Sequence, residues 1–97
     1  MSARKEMEYY MACGVAEEEL GIHQVDGKPR VTMTTRGMRQ MLESAAASGN
    51  AIATKALEHA RAEEAFRTDQ GTAPDQAAKE ATLDALEAFG VNMTPAQ

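Results

Sequence analysis

Apolar side chains recur at two periods along the chain, and the change of period marks the elements. Residues 2–12 carry Met7, Tyr10 and Met11 at helical spacing behind Ser2, a side chain suited to capping a helix start. Gly14 ends or bends that helix, and 15–20 adds a short acidic turn before Gly21. The rhythm then becomes an alternation. Residues 22–25 and 30–33 read as two short strands, with Asp26-Gly27-Lys28-Pro29 as the turn between them. Pro29 cannot donate to a ladder, so it belongs at a strand start or an edge. In the second strand Val31 and Met33 face one way, and Arg30, Thr32 and Thr34 the other.

The helical period returns after Thr34 or Thr35, either of which can cap. Met38, Met41, Leu42, Ala45 and Ala46 fall on one face. Ser48-Gly49-Asn50 favours a break over a bend, with glycine as the stop and asparagine as the next cap. A further helix to about Arg67 places Ile52, Ala53, Ala56, Leu57 and Ala60 in a stripe, with Phe66 further round. After a polar loop at 68–73, Pro74 and Asp75 open a last helix. Its expected core face is Ala78, Thr82, Ala85, Leu86 and Phe89, with Leu83 at the margin. Glu80, Asp84 and Glu87 take the other face, and Gly90 is the stop. Residues 91–97 read as a flexible tail.

These elements make an α+β, mostly helical fold: a short β-hairpin at about 22–33 with about four helices, in a single small domain over 1–97. No internal repeat or domain linker interrupts it. Composition then alters the picture. Leu, Ile, Val and Phe together occupy only thirteen positions, and much of the apolar content is alanine. A supply this thin predicts a small core or one completed by a second copy, so a homodimer is expected.

Net charge is −5, from ten basic and fifteen acidic residues. That balance disfavours a whole-surface binder of nucleic acid or acidic membrane, though not a local basic patch. The single cysteine, Cys13, excludes an internal disulfide framework and fits a reducing compartment. Glu6 and Glu8 follow Arg4 and Lys5 too closely for a signal peptide, and no apolar run is long enough to span a bilayer. The expected location is cytoplasmic.

Candidate chemistry is sparse. No glycine-rich phosphate loop is present. Cys13 has no base or cation among its sequence neighbours and reads as a small buried residue. His59 and Glu63 stand four apart on one helix, a spacing that suits two ligands of one ion. A site needs more ligands, His23 is the only other histidine, and Ala56 stands where a Glu-x-x-His pattern needs a carboxylate, so the pair reads as a helical surface pair. Glu17-Glu18-Glu19 reads as a solvated face. The expectation is a non-enzyme with no cofactor, metal or small-molecule substrate.

The charge pattern carries more. Lys28, Arg30, Arg36 and Arg39 come without an acid among them on a strand that leads into a helix. Strand, helix, glycine turn, helix is an order with precedent, and residues 30–60 resemble the ribbon-helix-helix repressor family. The resemblance implies paired strands entering the major groove of DNA. Arg30, Thr32 and Thr34 would read bases, Lys28, Arg36 and Arg39 would meet phosphates, and Asn50 would lie at the phosphate-facing turn. Three features depart from the family: a strand-to-helix spacing about two residues short, Lys55 and Ala56 in place of bulky aliphatics, and a hairpin partner at 22–25 on the edge the paired ribbon needs. A helix-turn-helix reading around Ala45, Gly49 and Ile52 meets Lys55 where a buried aliphatic belongs.

The competing class is a small acidic regulatory or inhibitory protein, of bacterial or phage accessory type, that binds a protein partner. Separation of basic and acidic segments supports it, because such surfaces steer association. Its contact residues would be Glu80, Asp84 and Glu87. This is the leading expectation, with the DNA-binding regulator as its alternative.

Overall fold

A computed structural model describes residues 2–91. In chain order it contains α1 (Ala3–Ala12), a single 3-10 turn (Glu17–Glu19), β1 (Leu20–Val25), β2 (Lys28–Met33), α2 (Thr35–Ala47), α3 (Ala51–Asp69) and α4 (Pro74–Ala88). Four helices and one antiparallel hairpin in a single small domain match the architecture expected from the sequence. Of the expected tail, only Val91 lies among the described residues. It packs on the core, and its N–H donates to the Leu86 carbonyl at 2.8 Å.

Three of the four helices start at a side-chain cap, and α4 starts at Pro74. Ser2, Thr34 and Asn50 accept hydrogen bonds from the N–H groups of Lys5, Gly37 and Ala53, satisfying donors that the first turn leaves free. The break at Gly49 is real. With Gly49 at φ +90°, the Asn50 N–H reaches the Ala45 carbonyl and the Gly49 N–H reaches Ala46. These two bonds turn the chain out of the helix, and Asn50 starts the next one.

The hairpin is longer than its sequence suggests. Asp26 and Gly27 alone form the turn, both at positive φ, and Lys28 and Pro29 belong to β2. Such a two-residue turn suits the strand twist. Lys28 pairs with Val25, and Pro29 with Gln24. The pair flanking a two-residue turn exchanges the ladder bonds, so the next pair does not. Pro29 sits in that second pair and costs the ladder nothing.

Two packing clusters share α2. Ala3, Tyr10, Val15 and Val31 are buried together, with Met7, Leu20, Met33 and Met41 against them. Leu42, Ala53, Ala56 and Leu86 form the second, flanked by Met38, Ala45, Ala46 and Val91. The buried face of α4 is Ala77, Ala81, Thr82, Ala85 and Leu86. It is rotated from the expected face, with Ala78 half-buried and Phe89 exposed. Ile52, expected in the α3 stripe, is 58% exposed.

Gly37 is where the hairpin layer meets α2. A Cβ there would lie 2.8 Å from Met33 Cγ, 3.0 Å from Glu19 Cβ and 3.2 Å from Val15 Cγ1. Helix propensity alone favours alanine by up to about 1 kcal/mol. The clash outweighs it: Gly37→Ala is expected to lower unfolding stability by about 1–3 kcal/mol. Urea denaturation checks this, and a stabilised variant would show that the contact yields freely.

Candidate interaction surfaces

The expected DNA-binding residues divide between two surfaces: Lys28, Arg30 and Thr32 lie on the hairpin, and Thr34, Arg36 and Arg39 line a cavity of about 700 Å³ with Lys79. Strand register places Gly21, His23, Val25, Lys28, Arg30 and Thr32 on one face of the hairpin. The opposite face carries Val31, which is buried, so the first face points away from the core. Lys28 and Thr32 are exposed there, and Arg30 is half-buried. Thr34 is occupied elsewhere. Its hydroxyl caps α2 and donates to Glu19 Oε1 at 2.6 Å. The Asn50 side chain is likewise engaged, accepting from the Ala53 N–H at 2.9 Å. Arg36 is exposed on the first turn of α2.

Arg39 is the clearest departure from a phosphate-contact role. Its side chain is only 17% exposed and joins three helices. From α2, Nη2 donates to Glu64 Oε1 on α3 and Nη1 to Thr82 Oγ1 on α4, each at 3.1 Å. Thr82 passes its own proton to the Ala78 carbonyl at 2.7 Å. Nε is buried without a hydrogen bond, 3.9 Å from Glu43 Oε2. Sequence reading missed this junction because its partners lie 25 and 43 residues away.

The hairpin also bears on the ribbon-helix-helix likeness. β1 of the same chain pairs along one edge of β2. The α2–turn–α3 unit keeps the order of that family, but the ribbon is built within one chain.

The acidic face of α4 is split. Glu80 accepts from Gln76 Nε2 at 2.7 Å and lies 3.6 Å from Arg67 Nε on α3. Asp84 Oδ2 is 3.1 Å from His59 Nε2. Both therefore belong to the α3–α4 seam, while Glu87 is exposed. The seam also holds Glu63, 3.4 Å from Arg67 Nη1. His59 and Glu63, paired on α3 by sequence, thus gain Asp84 as a third partner. Their ligand-type atoms all lie within 4.8 Å of one another. The ring of Phe89 meets that of His59 edge-on, with centroids 5.7 Å apart.

An apolar surface completes the set. Ile22, Val25, Ile52, Phe66, Leu83 and Phe89 are all exposed, six of the thirteen large aliphatic and Phe positions. Ile52 and Phe89 meet at a groove of about 370 Å³, whose floor and walls include Met41, Leu42, Ala53 and Val91. Ile52, His59 and Phe66 stand seven residues apart, so they share a face of α3. Cys13 is half-buried, and its contact with Tyr9 raises the Tyr9 pKa above the ordinary phenol value, chiefly through a side-chain hydrogen bond. At neutral pH that phenol stays protonated. It supplies no base to the thiol.

Comparison with protein-family models, curated proteins and solved structures finds no match. No described helix is long and apolar enough to cross a membrane.

The Arg39 geometry makes a contrast testable. Arg39→Ala leaves the Glu64 carboxylate and the Thr82 hydroxyl without their guanidinium and is expected to cost about 2 kcal/mol of stability. Arg36→Ala, at an exposed site, is expected to stay within about 0.5 kcal/mol. Thermal and urea unfolding of the two variants checks the difference.

Proposed function

We propose that the protein is a non-enzymatic binding module that captures another protein by seating an apolar anchor of that partner in the groove between α2, the start of α3 and the end of α4. One observation carries this reading. Ile52 and Phe89 are 58% and 37% exposed, although the chain has few large apolar residues, and both line that groove. Covering the exposed part is worth roughly 0.9–1.7 kcal/mol for Ile52 and roughly 0.6–1.1 kcal/mol for Phe89. A regulatory or inhibitory role suits such a module, because occupying a partner needs no chemistry of its own.

Self-association is the same contact made by a second copy. Several large apolar residues stay exposed on the single chain, and a homodimer would cover them. Ile52→Ser and Phe89→Ser are expected to keep the helical circular dichroism and to lower partner binding by at least about tenfold. Affinity capture followed by titration of the purified partner measures this. Equal binding by both variants overturns the groove. Sedimentation velocity on the protein alone separates a second copy from a different partner.

A second reading rests on the hairpin face, where His23, Lys28, Arg30 and Thr32 align on a two-stranded ribbon of a kind that enters a DNA major groove. Under it, Lys28→Ala reduces the salt dependence of DNA binding by about one counterion, and Thr32→Ala relaxes base preference. A mixed duplex pool that fails to co-sediment with the protein at low salt rules it out.

A further inference from the structure

We propose that His59, Glu63 and Asp84 form a binding site for a first-row divalent cation of the Zn²⁺ or Co²⁺ type at the α3–α4 seam, which adjoins the groove through the ring of Phe89. The ligand atoms already converge. All three lie within 4.8 Å of one another, and His59 Nε2 and Asp84 Oδ2 are 3.1 Å apart. Bonds of about 2.0–2.2 Å around a tetrahedral Zn²⁺ put neighbouring ligands roughly 3.4 Å apart. The His59–Asp84 pair therefore needs little change, and Glu63 has only to swing inward. Two ligands one turn apart on α3 and a third from α4 are held on regular helices, which fixes their spacing better than loops do.

Local charge favours a dication. Glu63, Glu80 and Asp84 gather at the seam, and a single guanidinium, Arg67, lies against both Glu63 and Glu80. Asp84 is paired with the imidazole. A cation that takes Glu63 and Asp84 leaves Arg67 to Glu80, so every carboxylate keeps a counter-charge. Arg67 Nη1, buried without a hydrogen bond, gives up its 3.4 Å ion pair with Glu63 in the exchange, a cost that ion binding has to exceed.

The donor set also selects among metals. Imidazole nitrogen suits Zn²⁺, Co²⁺ and Ni²⁺, whereas Mg²⁺ and Ca²⁺ take oxygen ligands. Three protein ligands leave at least one coordination position for water or for a group from another molecule. The Phe89 ring flanks the imidazole edge-on. All three ligand residues are half-buried, so an ion has a path from solvent.

Calorimetric titration of the chelator-treated protein with Zn²⁺ tests the site, with Co²⁺ absorption reporting the donor atoms. The expected result is one ion per chain, not displaced by excess Mg²⁺. Its affinity should fall at least about tenfold in His59→Ala, Glu63→Gln and Asp84→Asn, and stay unchanged in His23→Ala and Cys13→Ser. Circular dichroism of the apo variants checks that each is folded, and Glu63→Gln and Asp84→Asn keep side-chain shape should His59→Ala unfold. Absence of binding, binding indifferent to Asp84→Asn, or a sulfur-to-cobalt charge-transfer band that vanishes in Cys13→Ser overturns the proposal.

Discussion

The close approach of α3 and α4 is the constraint on which the rest of the molecule depends. The two helices make the most extensive contact between any pair of elements. Ala56, Ala60, Ala77, Ala81 and Ala85 are fully buried, and none carries an atom beyond Cβ. Small side chains bring helix backbones together, and dispersion then acts between many atoms at short range. Burial per residue is low, so stability draws on close fit rather than on large apolar groups. The same nearness brings charged side chains on opposite helices within reach at the edge of the contact. His59 meets Asp84, Arg67 meets Glu80, and Arg39 reaches both helices from a third.

A core filled by alanine releases larger residues for the surface. Leu42, Leu57 and Leu86 suffice for the helical side, and Val15 and Val31 for the hairpin side. Ile52, Phe66, Leu83 and Phe89 are left outside. Scattered single apolar residues are ordinary on any protein. Ile52 and Phe89 differ because they flank one groove, and grooves of that kind accept anchors from other molecules.

Local chemistry made the elements legible in the sequence, and tertiary packing hid the sites. Ser2, Thr34, Asn50, Gly49 and Pro74 announced helix ends through capping and φ preference, and the structure uses each of them. The face of α4 was harder to read. Ala77, Ala78, Ala81 and Ala85 leave several alanine stripes available, and no large side chain among them marks the inward one. Pro29 looked like part of a turn because proline is a common turn residue, yet it pairs with Gln24 at a register position that needs no donor. Arg39 read as a free cation because its neighbours in sequence are basic or neutral, while Glu64 and Thr82 arrive from other helices. Asp84 escaped notice as a partner of His59 for the same reason, being 25 residues distant.

The two clusters that share α2 have a consequence for how the molecule comes apart. One side of α2 holds α1 and the hairpin through Tyr10, Val15, Val31 and several methionines, while the other holds α3 and α4. Cooperative units in proteins follow such divisions of buried contact. The hairpin layer, whose residues 22–29 are all exposed, is the weaker unit. It can detach by subglobal opening while α2, α3 and α4 stay associated, and the slowest amide exchange would then lie in the buried turns of that bundle. A force applied to the hairpin tip meets a low barrier first and the helical bundle second.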